Sequence, residues 1–140
     1  MVRRTPPSLV ETRAAVGALA AWLDDEEAAA PARPDLADAV RSSARYLAGE
    51  HPGGAVELRV PPFVAVQCVE GLNHRRGTPP NVIELDPRTW LRLATGRLTW
   101  ASALADGSVI ASGSRADLAE LLPIDGLGGP GGVPPDREDY

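Results

Sequence analysis

The stretch Val56-Glu57-Leu58-Arg59-Val60-Pro61-Pro62-Phe63-Val64-Ala65-Val66-Gln67-Cys68-Val69 decides the fold. Val56, Leu58 and Val60 alternate with Glu57 and Arg59, the period of a half-buried strand. Pro61-Pro62 interrupts the run, since proline donates nothing to a β-ladder. The prolines either bend one long strand or separate two. The segment from Phe63 to Val69 is apolar except at Gln67, which predicts a strand buried on both faces.

Upstream of this stretch the period is helical. Leu9, Val16, Leu19 and Leu23 form an amphipathic stripe, with Ser8 and Glu11 placed as a capping box. The acidic run Asp24–Glu27 falls at the end of that helix, where the dipole disfavours it and fraying is expected. Pro31 and Pro34 close the segment. Asp35 is placed to cap a second helix bearing Leu36, Val40, Ala44 and Leu47, which ends at Gly49 and Pro52-Gly53-Gly54.

Downstream, Gly71–Pro80 reads as a polar loop and Val82–Leu85 as a short strand. Asp86-Pro87 opens a helix that Gly96 stops. A short helix over Thr99–Ala105, a strand over Ser108–Ser112 and a last helix from Ser114 follow, with Leu118, Leu121 and Leu122 on its buried face and Pro123 closing it. These segments divide the chain into a disordered start (1–7), an N-terminal helical pair (8–50), an α/β core (51–124) and a tail (125–140). The Gly, Pro and charge of the tail bury too little apolar area to offset ordering entropy, and disorder is expected there.

Composition narrows the function. The 140 residues suffice for one core without staples, and 44% are hydrophobic. The net charge is −5, and all 14 basic residues are Arg. With no basic stripe, no nucleic-acid partner is expected, because phosphate affinity needs clustered cations. Cys68 is the lone cysteine, so no intramolecular disulfide forms. Neither a signal peptide nor a transmembrane span is legible, and a cytoplasmic location is expected.

Further motifs extend the pattern: Ala65-Val66-Gln67-Cys68-Val69-Glu70-Gly71, His74-Arg75-Arg76-Gly77-Thr78-Pro79-Pro80, Asp86-Pro87-Arg88-Thr89-Trp90-Leu91, Leu93-Ala94-Thr95-Gly96, Trp100, Gly107, Ala111-Ser112-Gly113 and Arg115-Ala116-Asp117-Leu118. From Val56 to Pro123, about half the chain, the sequence resembles the bacterial branch of the sterol carrier protein (type 2-like) family. The resemblance implies an α+β fold, a small, twisted, largely antiparallel sheet backed by helices, here with two extra N-terminal helices. It also implies an apolar interior able to hold a lipid, fatty acyl or sterol-like molecule. Some relatives carry a helical bundle whose histidines bind zinc in a thiol-dependent isomerase. No histidine precedes His51 here, so that activity is not implied.

No catalytic centre is legible. His51 and His74 lack metal-ligand spacing, Cys68 lies in an apolar run that raises its pKa, and no nucleophile elbow occurs. The glycines at 126–132 follow no strand and cradle no phosphate. No cofactor, metal or catalytic residue is expected. The expectation is non-catalytic binding of an apolar small molecule, lined by Phe63, Trp90, Leu93, Trp100, Leu104 and Leu118. His74, Arg75 and Arg76 would meet its headgroup through arginine's fork. The alternative is an interaction or regulatory module without a cavity, its protein partner open. An empty cavity of about 300 Å³, at about 24 cal/mol per Å³, costs about 7 kcal/mol, comparable with a small domain's whole stability. An interior of that kind is therefore either filled or closed.

Overall fold

The computed structural model describes residues 5–71 and 81–128. The central stretch folds as a hairpin. Strand β1 (Val56–Val60) pairs antiparallel with β2 (Val64–Cys68), in the register Val56↔Cys68 to Val60↔Val64. Pro61-Pro62 separates two strands: Phe63 N–H donates to Val60 C=O at 2.9 Å and closes the turn. Strand β3 (Asn81–Leu85) lies parallel to β1 on its other side, and β4 (Val109–Ser112) runs antiparallel to β3. The strand order is β2-β1-β3-β4, a mixed sheet in which two of the three ladders are antiparallel.

Period two sets the sheet's faces. Val56, Leu58, Val60, Ile83, Leu85 and Val109 point inward and are buried. On the opposite face Glu57, Arg59 and Glu84 are half-buried, while Gln67 and Ile110 are exposed. Arg59 Nε donates to Glu57 there at 2.7 Å. Strand β2 is not buried on both faces. It lies at the sheet edge with helical cover on one side, so Ala65 and Gln67 reach solvent.

The N-terminal stripe forms two helices rather than one, α1 (Leu9–Gly17) and α2 (Ala20–Asp24). The capping box is present in both directions, Glu11 N–H to Ser8 Oγ at 3.0 Å and Ser8 N–H to Glu11 Oε1 at 2.9 Å. The break follows Gly17, the weakest helix former in the run. Val16, Leu19 and Leu23 still bury together across it.

Helix α2 ends at Asp24, leaving Asp25, Glu26 and Glu27 of the acidic run beyond it, and three arginines tie down that end. Arg88 donates to Trp22 C=O at 3.0 Å and lies over the Trp22 ring, Arg92 donates to Leu23 C=O at 3.2 Å, and Arg97 pairs with Asp24 at 2.6 Å. Cations from elsewhere in the chain thus satisfy the orphan carbonyls and oppose the dipole penalty. The carboxyl of Asp24 is lowered in pKa by its hydrogen bond with Arg97.

Helix α3 (Arg33–Glu50) starts earlier and ends later than its sequence signals. Pro34 lies in its first turn, where a missing N–H costs nothing, so it opens the helix rather than closing the segment before it. Gly49 is helical rather than a stop, and its missing side chain lets Pro6 pass close by: an added Cβ would lie 2.9 Å from Pro6 Cβ. Helix α4 (Pro87–Ala94) is capped by Asp86, which accepts from Arg88 N–H at 3.1 Å. Gly96, at φ +82°, follows its C-cap. Helix α5 (Trp100–Ala105) is capped by Thr99.

The helix expected from Ser114 does not form. Arg115 N–H donates to the Asn81 side chain at 2.8 Å, and the chain manages only a 3₁₀ turn over Ala119–Leu121. The chain spends its amides locally instead. Asp117 N–H donates to Arg115 C=O at 2.8 Å, and Ala119 N–H, which a helix would direct to Arg115 C=O, donates to the Asp117 side chain at 2.7 Å. Pro123 leaves too few residues beyond it. The chain stays ordered past Ile124 as far as Gly128. Leu127 is buried, Ile124 N–H donates to Ala94 C=O at 2.9 Å, and Arg13 donates to Gly126 C=O at 2.9 Å. The rest of the proposed tail lies outside the described residues, as do the first four residues.

Candidate functional site

The six residues expected to line an apolar site fall into three environments. Trp90, Leu93 and Leu118 are at most 1% exposed and belong to the central core. Trp90 Nε1–H donates to Ser43 Oγ at 2.8 Å, and Ser43 in turn donates to Ala39 C=O at 2.7 Å. Every polar group on Trp90 is therefore engaged inside the fold. Phe63 sits at the hairpin tip, with the Arg33 and Arg41 guanidinium groups 5.1 and 5.9 Å from its ring centre. Arg41 Nε also donates to Phe63 C=O at 3.0 Å. Side chain and backbone together fasten the hairpin to α3.

Trp100 and Leu104 are different. They lie one turn apart on α5, so their side chains share a face. Trp100 is 8% exposed, and its buried indole N–H has no hydrogen-bond partner among the described residues. Leu104 is 44% exposed. A buried donor without an acceptor costs about 1–3 kcal/mol, so this indole is a place where an acceptor is missing. The expected headgroup residues His74, Arg75 and Arg76 lie outside the described residues.

None of the six residues lines either of two surface hollows found among the described residues. One, of about 170 Å³, lies between the end of α3 and the segment after the 3₁₀ turn, with His51, Tyr46, Glu50, Glu120 and Asp125 on its walls. Among the described residues no group of three or more His, Cys, Asp or Glu is placed to hold a metal ion. The other is a groove of about 410 Å³ between α3 and the edge of β2, walled by Pro6, Arg45, Ala48, Gly49, Val66 and Gln67.

Cys68 is a core thiol. Burial pushes its pKa up from an ordinary 9.0 to about 11, the opposite of what a nucleophile needs. Iodoacetamide at pH 8 should leave Cys68 unmodified in the folded protein and alkylate it promptly in denaturant, which mass spectrometry reads directly. Fast labelling of the native protein would contradict its burial. The sign of the shift also fixes a stability trend. The unfolded chain loses the thiol proton first, so this contribution is complete below pH 9 and disappears as pH rises towards 11.

The sequence reading missed Asn81 and Ser43. Asn81 is 4% exposed, donates to Ala55 C=O at 2.8 Å and accepts from Arg115 N–H. Residues 81, 83 and 85 share the inward face, so a polar side chain at 81 was the available signal. Ser43 lies on the buried stripe of α3, where a hydroxyl needs a partner.

No helix among the described residues is long and apolar enough to cross a membrane. No curated protein matches the chain. A family model described as bacterial SCP ortholog matches residues 32–124, taking in α3, the whole sheet, α4 and α5, with α1 and α2 preceding it. With well over half of the chain covered by that match, the protein belongs to the bacterial SCP ortholog family.

Proposed function

We propose that the domain binds an apolar small molecule of the lipid, fatty acyl or sterol-like class without catalysis. The observation that carries this reading is the Trp100 indole, nine-tenths buried with no acceptor among the described residues, beside the exposed Leu104 on α5. A ligand with an apolar body and a carbonyl, hydroxyl or carboxylate oxygen supplies both missing partners: area against Leu104 and an acceptor for Nε1–H. Family membership supports the same class. Phe63, Trp90, Leu93 and Leu118 complete the proposed wall in the ligand-bound state, and His74, Arg75 and Arg76 remain the proposed headgroup contacts. Trp90, Leu93 and Leu118 lie buried in the core and line neither of the two hollows described, which favours the second reading, an interaction module using its surface.

Native mass spectrometry of freshly purified protein, before and after addition of oleate, tests the proposal. A one-to-one adduct in the lipid mass range is expected. The Trp100→Phe variant should lose about tenfold in oleate affinity, the worth of one hydrogen bond. Its unfolding free energy should fall by less than about 1 kcal/mol, because no bond is broken. Folded protein that takes up no oleate would overturn the carriage reading.

A further inference from the structure

We propose that the open edge of β4 pairs antiparallel with the same edge of a second copy of this chain, joining two four-stranded sheets into one of eight strands. This surface is independent of whether the interior holds a ligand.

Strand β4 ends the sheet order and has one neighbour, β3. Backbone N–H and C=O groups alternate between the two sides of a strand. Half of those over Val109–Ser112 therefore point away from β3, whichever residues carry them. Among the described residues, no hydrogen bond from outside the sheet reaches any of these four. Such a row is a template for another strand, and edges are ordinarily guarded by charge, proline or a covering element. The sequence of β4, Val-Ile-Ala-Ser, supplies neither charge nor proline. Ile110, Ala111 and Ser112 are exposed, Ile110 at 66%. The strand's one guard is its short length, which keeps the pairing weak.

Symmetry chooses the occupant. A two-fold axis perpendicular to the sheet sets one residue of an antiparallel edge opposite itself. With Ile110 on that axis, the two exposed isoleucines meet on the outer face. Val109 of each copy then lies opposite Ala111 of the other, and both belong to the inner face, where they pair with Leu85 and Ile83 of β3. This register serves either bonding pattern of β4, because Ile110 and its copy form a hydrogen-bonded or a non-bonded pair equally well.

Charge agrees with a second copy. Although the protein carries a net −5, the strands that meet carry none. Asp106 precedes β4 and Arg115 follows it, so antiparallel pairing brings the acidic end of each strand to the basic end of the other. Both residues are exposed. Hydrogen bonds from Ser108 hold the Asp106 carboxyl below the ordinary carboxylate range and engage Oδ1, leaving Oδ2 for a cation. Arg115 spends Nη2 on Glu70 C=O at 3.1 Å, and a guanidinium has five donors. Glu84, opposite Ile110 on β3, lies three strand spacings from its copy, about 14 Å, beyond the screening length at physiological salt.

Sedimentation velocity of the full chain over about 10–500 µM, the range for a small interface, should show a reversible monomer–dimer equilibrium. In the ¹⁵N-labelled protein, raising the concentration should slow hydrogen exchange of β4 amides and leave those of β2 unchanged. Ile110→Lys sets two cations side by side on the axis and should weaken the dimer about tenfold or more. If that variant is misfolded by circular dichroism, the exchange pattern of the unmodified protein decides. A monomer at every concentration, a dimer of undiminished affinity in folded Ile110→Lys, or exchange slowed elsewhere than on β4 would each overturn the proposal.

Discussion

Replacing Trp90 by alanine should cost about 3–5 kcal/mol of unfolding free energy, the range for deleting a large buried aromatic side chain. The indole is fully buried and spans from α4 to the inner face of α3. Its loss opens a void in the single core cluster to which Trp90 belongs. Against a total of about 5–15 kcal/mol for a domain of this size, the variant should be only marginally folded at 37 °C. Urea unfolding checks the prediction: the midpoint should fall while the slope stays constant. A milder change separates packing from hydrogen bonding. In a double-mutant cycle of Trp90→Phe with Ser43→Ala, the coupling should be about 1 kcal/mol. A vanishing coupling would mean the 2.8 Å bond contributes nothing to stability.

Asn81→Leu should cost about 2–5 kcal/mol although it exchanges a polar side chain for an apolar one in a buried place. The amide of Asn81 joins the start of β1, through Ala55 C=O, to the segment after β4, through Arg115 N–H. Leucine leaves both backbone groups unpartnered, and the Ala55 carbonyl, buried where Asn81 meets it, carries the full penalty of a buried orphan. Asn81→Asp discriminates further. It keeps the acceptor for Arg115 N–H but turns a carboxylate towards the Ala55 carbonyl. This carboxyl pKa should be raised, since only its protonated form can donate to that carbonyl. The Asp variant should therefore gain stability relative to the parent as pH falls from 7 towards 4. Thermal melts across that range measure it, and a pH-independent difference would show that the carbonyl contact is dispensable.

The extent to which the fold was legible follows from the range of the interactions concerned. The Ser8–Glu11 box, the Asp86 cap and the Gly96 stop were readable because each is complete within four residues. Strand β1 was readable because its alternation reports one covered face. Strand β2 was misread as doubly buried because small and apolar residues occur both in the interior and at an edge beside a helix. The ties at the acidic end of α2 were not legible because Arg88, Arg92 and Arg97 reach it from more than sixty residues away. The missing last helix has a local origin, the Ala119 amide taken by the Asp117 side chain that reads in sequence as part of a helix cap. Of the proposed lining, sequence could name the large apolar residues. It could not tell Trp90, whose N–H meets Ser43, from Trp100, whose N–H meets no acceptor among the described residues.

By itself, then, the order of residues determined the family, the α+β class and the identity of most elements, because caps, turn residues and periodicity act through neighbouring peptide units. Which strand lies at the edge, which tryptophan retains an unused donor and where a groove opens beside Arg45 were decided only by tertiary structure. Those properties depend on pairs of groups far apart in the chain, and a hydrogen bond or a void exists only once both sides are in place.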